Sequence, residues 1–431
     1  IDRKSTLSNN VAKNGNGGAI YNNGMERVSI ASIKIEGANM KSNKATNGSG
    51  GAIYNGNYGS ITFATAVEGN KYYYTAFTSN TAALYGGAIF NTGEISFDSV
   101  TFKSNKTTST ISGGGGAIYN DNKLTIKRTS SFVSNSANYG GAIYAIESAL
   151  FMNMDSSGEI IPGAVEITMS NNSAQAGGAM YLGIDSVLKA VNINFVSNKA
   201  TKGNGGAIAI NNKNDAKDNY ISSAKFENNT ATYNANGIQG RGGAIYNTGT
   251  LGTMYPSGFT NNYVIGKTSA HGGAIYTTND LTIIAKNIDT KFTENLHNEY
   301  ESDDVIQKGT PNDIYLGYIG EQTLNLLAYT GKSLVLESGL EIARGNKLVL
   351  NVNYDTKSPS TAYDGRVKIA LPKNLGSETN PIKSVIINGG TFDVNDDYCT
   401  TIYTSSFEIK KDTVFNFDID AQRGKSDRNI F

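Results

Sequence analysis

A tetrapeptide, Gly-Gly-Ala followed by Ile or once by Met, recurs nine times along the chain at spacings of 25 to 37 residues. In eight of the nine copies the next residue is aromatic, and Asn commonly follows it. The copies begin at Gly17, Gly50, Gly86, Gly115, Gly140, Gly177, Gly205, Gly242 and Gly272. Repeats that cannot bury an apolar face alone are typical of solenoid proteins, in which neighbouring units stack. The sequence therefore predicts an array of stacked coils.

A second motif, a large apolar residue followed after two variable residues by Asn, lies five to thirteen residues before each tetrapeptide. It occurs ten times between Leu7 and Asn295. After the last copy, Asn312-Asp313 replaces Gly-Gly-Ala ahead of Ile314-Tyr315, and we interpret this segment as a degenerate repeat. The motif asparagines that follow Asn10 are Asn43, Asn80, Asn105, Asn135, Asn172, Asn198, Asn229, Asn262 and Asn295.

The shortest unit, residues 115–139, contains three short β-prone runs separated by clusters of Gly, Asn, Asp and Ser. No helical period lies between these runs, which excludes alternating strand and helix units. We therefore predict an all-β parallel β-helix, in which three strands form one triangular coil and each strand pairs with its counterpart in the next coil. The longer repeats would carry their extra residues in loops at 58–75, 148–164, 211–220, 233–241 and 296–309.

The motif residues have physical roles in such a coil. Gly-Gly supplies a positive φ, or a close approach of the backbone to the next coil, at a corner. The following Ile faces the interior, and the large residue of the second motif fills another core layer. The motif Asn tolerates left-handed geometry and forms a ladder of amides along the stack. Alternation alone leaves open whether the aromatic column faces the core or solvent, and we favour the core.

From residue 316 onwards the tetrapeptide is absent, although alternating apolar runs continue. We divide the chain into β-helix repeats at 1–315 and a motif-poor region at 316–431. The second region is expected to be further β-helix or a C-terminal capping β region, and a separate small β domain is the alternative.

Composition makes several partners unlikely. The 37 basic and 37 acidic side chains give zero net charge and form no basic runs. Nucleic acids and anionic membranes bind clustered positive charge, so neither is expected as a partner. No apolar stretch approaches the ~20 residues of a membrane-spanning helix. The single cysteine, Cys399, excludes an internal disulfide framework.

Residues suited to catalysis or metal binding are few. The two histidines, His271 and His297, are interpreted as solvated loop residues, since general acid–base catalysis would need a partner within hydrogen-bond reach. Two His and one Cys are too few for a zinc site at these spacings. The acidic pairs at 303–304 and 396–397 are interpreted as a solvated face or a weak Ca²⁺ site. We expect no catalytic, cofactor-binding or metal-binding residues, and no enzymatic activity.

The combination of Gly-Gly-Ala-Ile with Phe-x-x-Asn resembles the repeats of the polymorphic outer membrane proteins, autotransporters of chlamydiae and other bacteria. The resemblance extends from Leu7 to about Tyr315. It implies a right-handed parallel β-helix that is displayed at the outer membrane and cell surface, or secreted, and that acts as an adhesin. It also implies membrane attachment only through a C-terminal translocator barrel that this sequence lacks, so we expect a passenger fragment.

A neutral solenoid with variable loops is suited to holding a large partner rather than enclosing a small substrate. We expect that partner to be a receptor or glycan on host or bacterial cells. Specificity is assigned to the loops at 58–75, 148–164 and 296–309. Their candidate binding residues are Tyr72, Tyr73, Tyr74, Phe151 and Tyr300. The alternatives are a purely structural surface spacer or stalk and a carbohydrate-active β-helix enzyme, which would gather three or more carboxylates in one groove.

Overall fold

The computed structural model describes residues 1–24, 30–155, 157–212, 219–232, 240–266, 270–302, 305–306, 309–355, 362–371, 373–396 and 401–419. Within these ranges the chain forms strands, turns and bends and no helix. Apart from short hairpins, the strands pair in parallel with their counterparts in neighbouring coils. The predicted all-β parallel β-helix is confirmed.

The largest sheet has 25 strands, arranged in two columns that are joined through Val187–Val196 and Tyr220–Glu227. The first column also contains Ala31–Glu36, Gly59–Ala64, Glu94–Phe97, Lys123–Ile126, Ala149–Met152, Thr253–Tyr255, Leu281–Ala285, Glu321–Ala328, Lys347–Val352, Ser384–Ile387 and Phe407–Ile409. The second also contains Thr6–Ser8, Asn39–Lys41, Thr75–Thr78, Val100–Lys103, Ser130–Val133, Ile167–Ser170, Gly258–Thr260, Thr290–Thr293, Ser333–Leu336, Arg366–Ala370, Gly390–Asp396 and Thr413–Ile419. Both columns therefore continue beyond residue 315.

An 11-stranded sheet, here called the Ile-Tyr-Asn sheet, is formed by the nine segments that follow the Gly-Gly corners and by two further strands. At about 4.8 Å per strand it is ~50 Å long. Its strands are Ile20–Asn22, Ile53–Asn55, Ile89–Asn91, Ile118–Asn120, Ile143–Ala145, Met180–Leu182, Ile208–Ile210, Ile245–Asn247, Ile275–Thr277, Ile314–Leu316 and Leu340–Ile342.

A fourth face of the coil consists mostly of two- to four-residue strands that the sequence interpretation missed. Sheets of 4 and 7 strands are connected by single bridges from Lys106 to Ser136 and from Ser136 to Ser173. The coils up to the strand Leu296–Ser302 thus have four strand segments rather than the three predicted. The strands are Val11–Ala12, Lys44–Ala45, Thr81–Ala82, Lys106–Thr107, Ser173–Ala174, Lys199–Ala200, Thr230–Thr232, Tyr263–Gly266, Leu296–Ser302, Val305–Ile306 and Thr310–Pro311. A separate hairpin contains Ala66–Glu68 and Lys71–Tyr73.

The core is a set of columns in which each side chain packs on its counterpart in the next coil. The isoleucines of the Gly-Gly-Ala-Ile repeats are buried from Ile53 onwards and pair in register along their sheet. The phenylalanines of the second motif stack, with ring centroids 4.7 Å apart for Phe77 and Phe102 and 4.5 Å for Phe226 and Phe259. Stacking at this distance is favourable for aromatic rings that are also removed from water.

The motif asparagines form one continuous ladder inside the coil. From Asn10 to Asn295, each Nδ2 donates to the Oδ1 of the next asparagine at 2.8 to 3.0 Å. In Asn135, for example, the backbone N–H and the side-chain Nδ2 both donate to Asn172 Oδ1. The Nδ2 of Asn135 also donates to the Phe102 carbonyl. Each buried amide is therefore satisfied by its neighbours, which makes the network stabilising rather than costly.

Left-handed backbone geometry belongs to the residue before the motif Asn, not to the Asn itself as predicted. These preceding residues have φ between 54° and 57°. The Asn lies one residue further along, where its amide points into the ladder. The residues concerned are Asn9, Ser42, Ser79, Ser104, Ser134, Asn171, Ser197, Asn228, Asn261 and Glu294.

The two corner glycines have different roles. The first has a positive φ in all nine copies, for example 67° at Gly115. The second has no such φ, but a Cβ on Gly116 would lie 2.1 Å from the Gly141 carbonyl oxygen and 2.5 Å from the Ser136 nitrogen. Each of the two alternatives inferred from the sequence, positive φ and close approach, therefore applies to one glycine of the pair.

The aromatic column faces outward, so the favoured inward orientation was wrong. In the strand Ile118–Asn120 the Ile and the Asn are buried and Tyr119 is half-buried. Successive residues of a strand point to opposite faces, so an inward Ile fixes an outward Tyr and an inward Asn. That Asn forms a second ladder that sequence reasoning missed, in which Asn55 donates to Asn91 and Asn91 to Asn120, both at 2.7 Å.

Replacing one asparagine in the middle of the first ladder tests its contribution. Asn135→Ala removes the acceptor of two N–H groups of Asn105 and a donor to Asn172. We expect the free energy of unfolding to fall by about 3–5 kcal/mol, because buried polar groups are left unsatisfied. Asn10→Ala, at an exposed position of the same ladder, should cost about 1 kcal/mol or less. Denaturant unfolding followed by circular dichroism measures both, and equal losses would contradict the role of burial.

A pair of glycine substitutions tests the close approach of the coils. Gly116→Ala forces a Cβ against the backbone of the next coil, and we expect it to cost more than about 3 kcal/mol or to prevent folding. Gly15→Ala is the matched control, since nothing lies within 4 Å of its added Cβ. It should change stability by less than about 1 kcal/mol. Thermal unfolding distinguishes the two, and a tolerated Gly116→Ala would show that the coils can separate locally.

Candidate binding surfaces

The outward aromatic column is a stack of parallel rings. Ring centroids lie 4.9 Å apart for Tyr21 and Tyr54, 5.0 Å for Tyr54 and Phe90, and 4.8 Å for Phe90 and Tyr119, with interplanar angles of 8° or less. The ring faces are occupied by one another, so solvent meets chiefly ring edges. Tyr144 is turned by 82° relative to Tyr119, and this run of parallel rings ends there. The regular part of the column is therefore a stabilising structure more than a platform for ligands.

A second outer column consists of the residues just before each Gly-Gly pair. Tyr85 packs against Tyr119 at 4.9 Å between centroids, and Tyr139 packs against Tyr181 at 5.2 Å. Towards the C-terminal end the same position carries a cation, Arg241, which lies 4.9 Å from the ring centre of Tyr276. The two columns together make one continuous face, here called the aromatic face.

The two histidines lie together at the end of the aromatic face, so their interpretation as solvated loop residues was wrong. His271 stacks on Tyr315 with centroids 3.9 Å apart, and its ring centre lies 6.0 Å from that of His297. His297 is buried because it follows Val264 in register along the inner side of the short strands. Burial, followed by the charges of His297, Arg241 and Lys373, lowers the pKa of His271 to about 3.

A cleft of about 930 Å³ opens beside His271 and Tyr315. Its buried carboxylate, Glu341, has Oε1 3.2 Å from Lys373 Nζ and 4.0 Å from His297 Nε2. Because Lys373 is largely exposed, solvent screens this ion pair and its contribution to stability is small. Side chains of both charges, Glu341, Arg344 and Lys373, line the cleft.

Asp313 ends the asparagine ladder. It lies in the degenerate repeat, is fully buried, and its Oδ1 accepts a hydrogen bond from Asn295 Nδ2 at 2.8 Å. Its Oδ2 accepts from the backbone N–H groups of Ser338 at 2.7 Å and Gly339 at 3.1 Å. Burial raises the pKa of the Asp313 carboxyl to about 7, and these donors act in the opposite direction.

A projecting hairpin carries three of the residues predicted to bind a partner. Only residues 65–74 leave the large sheet, because the first part of the loop predicted at 58–75 is the strand Gly59–Ala64. Tyr72 is 62% exposed and Tyr74 48%, and their rings are parallel with centroids 6.5 Å apart. The hairpin is anchored by Glu68, which accepts hydrogen bonds from Tyr73 at 3.1 Å and Arg3 at 3.0 Å.

The other predicted binding residues are placed differently. Phe151 lies in the large-sheet strand Ala149–Met152, paired with Thr125 and Lys189, and not in a loop. The predicted boundary was wrong because no motif residue marks where an insertion leaves the coil. Tyr300 belongs to the strand Leu296–Ser302, and its side chain lies outside the described residues. Most of the loops predicted at 211–220 and 233–241, together with Cys399, also lie outside them.

Acidic residues do not converge within the described part of the chain. A groove of about 220 Å³ on the large sheet holds Glu94 and Asp155 beside Lys123 and Lys127. Among the residues that the structure describes, no group of three or more His, Cys, Asp or Glu is placed to hold a metal ion. In the same residues no helix is long and apolar enough to span a membrane. The predicted pairs at 303–304 and 396–397 fall largely outside the description.

Five stretches of the chain match the Chlamydia polymorphic membrane protein repeat, at residues 4–23, 74–92, 99–121, 129–146 and 223–248. Each runs from the second-motif strand through the corner to the Ile-Tyr-Asn strand, which is the part of the coil that contains both asparagine positions. The chain carries polymorphic membrane protein repeats. The resemblance noted from the sequence is thereby confirmed. Polymorphic membrane protein repeats indicate a surface protein of the autotransporter type at the outer membrane or cell surface. Comparison with curated proteins and with solved structures gives no match.

The buried carboxyl at the end of the ladder makes a pH-dependent prediction. The folded pKa of Asp313, about 7, exceeds its reference value of 3.8. Its contribution to stability is therefore fully present below pH 3.8 and is lost as the pH rises through 7. We expect the stability difference between the wild type and Asp313→Asn to decrease steadily over that window. Denaturant unfolding at several pH values measures it.

The pKa of His271 is shifted in the opposite direction, so the pH dependence of its contribution to stability serves as the comparison. Its folded pKa of about 3 lies below the reference value of 6.5, so its contribution is present above pH 6.5 and is lost as the pH falls towards 3. The difference between the wild type and His271→Gln should therefore increase with pH. Parallel slopes for the two variants would contradict the assignment.

Proposed function

We propose that this chain is the passenger region of a surface-displayed or secreted adhesin that binds a receptor or glycan on host or neighbouring cells. The polymorphic membrane protein repeats support the surface location. The observation that carries the binding role is the hairpin with two parallel, exposed tyrosines, Tyr72 and Tyr74.

The hairpin is suited to contact a macromolecule. It interrupts a coil between Gly59–Ala64 and Thr75–Thr78, so it projects from a rigid sheet while both of its ends remain fixed. Tyr side chains bury a large area with little loss of conformational entropy, which is why they recur at the centres of protein interfaces. Contiguous apolar groups that a folded protein leaves exposed mark interaction sites, and the two adjacent rings form such a group.

The scaffold and the binding residues are separate in this proposal. The two repeat motifs supply buried columns and corners, and their residues are largely inaccessible to a partner. The segments that leave the coil supply the contacts. We also assign contacts to the loop predicted at 148–164, which leaves the large sheet only after Met152, and to the loop predicted at 296–309. The structure describes a part of each.

A double substitution on the hairpin tests the proposal. Tyr72→Ser with Tyr74→Ser should weaken binding of the purified chain to a responsive cell line or glycan by about tenfold or more, because the central aromatic contacts are lost. Biolayer interferometry or flow cytometry with labelled protein measures the change. Ile111→Ser, at an apolar side chain that is 87% exposed in another coil, is the matched control and should bind like the wild type.

Two outcomes would count against the adhesin. One is saturable binding that the hairpin substitutions leave unchanged and that deletion of residues 66–74 also leaves unchanged. The other is a folded chain that binds no cell type or glycan in the panel, which would favour the surface spacer.

A further inference from the structure

One corner of the coil, at the motif Asn, carries lysines that are scattered in the sequence. The second column of the large sheet ends before this Asn and the fourth face begins after it. Lysine occupies both the second residue before the Asn and the residue after it in two coils, which are separated by one coil with threonine at both positions. These four residues are here called the lysine corner: Lys41, Lys44, Lys103 and Lys106.

The four lysine side chains are all exposed. Lys41 is in register with Thr78, and Thr78 is in register with Lys103, so the two lysines are two coils or ~9.6 Å apart along the coil axis. The other two lysines follow the same register through a threonine. Stacking therefore gathers four positive charges on a small area, although the sequence contains no basic run.

No acidic side chain of the corner offsets this charge. The segments that form the corner in the three coils, at 39–46, 75–83 and 100–108, contain no Asp or Glu. Among the residues that the structure describes, none forms an ion pair or hydrogen bond with the ammonium group of any of the four lysines. The protein as a whole is neutral. The lysine corner is thus a local excess of positive charge, which attracts anions.

Lysines elsewhere on the sheets are arranged differently. Lys123 pairs with Glu94 of the neighbouring coil at 3.8 Å, and Lys291 pairs with Glu337 at 2.9 Å. A residue on a sheet surface can therefore be matched by an opposite charge one coil away. At the lysine corner the intervening coil carries threonine instead. The packing of the coil does not require four unpaired lysines there, whereas an anionic partner would.

The surroundings of the lysines favour a sulfated glycan among the polyanions. The three corner segments contain no arginine to hold a phosphate through two hydrogen bonds. They also contain no exposed aromatic side chain on which a nucleic-acid base could stack, and no large exposed apolar side chain that could enter a membrane. Lysine binds sulfate groups as a point charge. The partly exposed hydroxyl groups of Thr78 and Thr81, between the lysines, can hydrogen-bond to sugar hydroxyls.

We propose that the lysine corner binds a linear sulfated glycan that lies along the coil axis. The ~9.6 Å between the lysine pairs is close to the length of one disaccharide in an extended chain, so sulfates of successive disaccharides would meet successive pairs. Lys199 continues the column of Lys106 three coils further on, through Ser136 and Ser173. The inference deepens the adhesin proposal by naming the class of glycan, and it rests on that proposal only for the source of the glycan.

Heparin tests the corner without any cell or receptor. A fluorescently labelled heparin oligosaccharide should bind the wild-type chain in an anisotropy titration. Its affinity should fall by about tenfold or more between roughly 50 and 200 mM salt, because binding releases counterions. A hyaluronan oligosaccharide of equal length carries carboxylates without sulfates, and it should bind about tenfold more weakly than heparin because its charge density is lower.

Paired substitutions locate the site. Lys41→Gln with Lys103→Gln should weaken heparin binding by about tenfold or more and reduce its salt dependence, because two electrostatic contacts are lost. Lys41→Arg with Lys103→Arg keeps the charge and should restore binding. Lys225→Gln with Lys411→Gln makes the same change of charge at exposed lysines outside the corner. It is the matched control and should bind heparin like the wild type.

The proposal is overturned if the wild type binds no heparin at about 50 mM salt, if the corner and control variants bind heparin equally, or if hyaluronan binds as tightly as heparin. Tighter binding of duplex DNA, or of vesicles of phosphatidylcholine and phosphatidylserine, would replace the glycan with another polyanion and would also overturn it.

The heparin titration also separates this proposal from the adhesin. The double hairpin variant at Tyr72 and Tyr74 should bind heparin like the wild type. A loss of cell binding in that variant with unchanged heparin binding supports two separate sites. Failure of heparin binding with intact cell binding removes the lysine corner and leaves the adhesin.

Discussion

Stacking of successive coils at the spacing of paired strands, about 4.8 Å, is the constraint on which the other features of this protein depend. In a parallel β-helix each side chain has its own counterpart as its nearest neighbour, one coil above and one below. A position is therefore favourable only if its residue packs well against itself. Phe on Phe, Ile on Ile and Tyr on Tyr satisfy this condition. At the second corner position only Gly satisfies it, because the carbonyl of the glycine in the next coil leaves no room for a Cβ.

The same condition explains which polar residues are buried. An amide is both donor and acceptor, so asparagines can repeat through the interior with every group bonded, as they do from Asn43 to Asn295. A carboxylate only accepts, so two stacked carboxylates would leave unsatisfied charge. Asp313 accordingly appears once, at the end of the ladder, where the backbone N–H groups of Ser338 and Gly339 replace the donor that a further amide would supply. It closes the network without continuing it.

The repeat spacing was sufficient to predict the fold class, because both motifs recur with a period that only stacked coils accommodate. It also indicated the buried Ile and Phe columns and the amide ladder. The outward direction of the Tyr column could also have been predicted, since an inward Ile in an extended strand requires the next residue to point outward. The position of the left-handed residue could not be predicted, because Asn is itself common in that geometry.

Contacts between neighbouring coils outside the two motifs were the part that the sequence could not supply. His297 is buried because its strand continues the line of Val264, and the ring centre of His271 lies 6.0 Å from that of His297. Phe151 was assigned to a loop although it lies in a strand, because the start of an insertion carries no signature.

A surface made of self-stacked residues presents the same groups at every coil. Such a surface offers a ligand many equivalent registers and little discrimination among them. Specific recognition therefore requires places where the repetition is broken. Within the described residues the hairpin at Tyr72 and the histidine cleft beside Glu341 are such breaks. At each of these places an arrangement that occurs only once replaces a group that repeats elsewhere, and the regular columns beside it hold it in position. The regularity that stabilises the coil is what makes these few exceptions distinct, and selective binding is expected there rather than along the repeats.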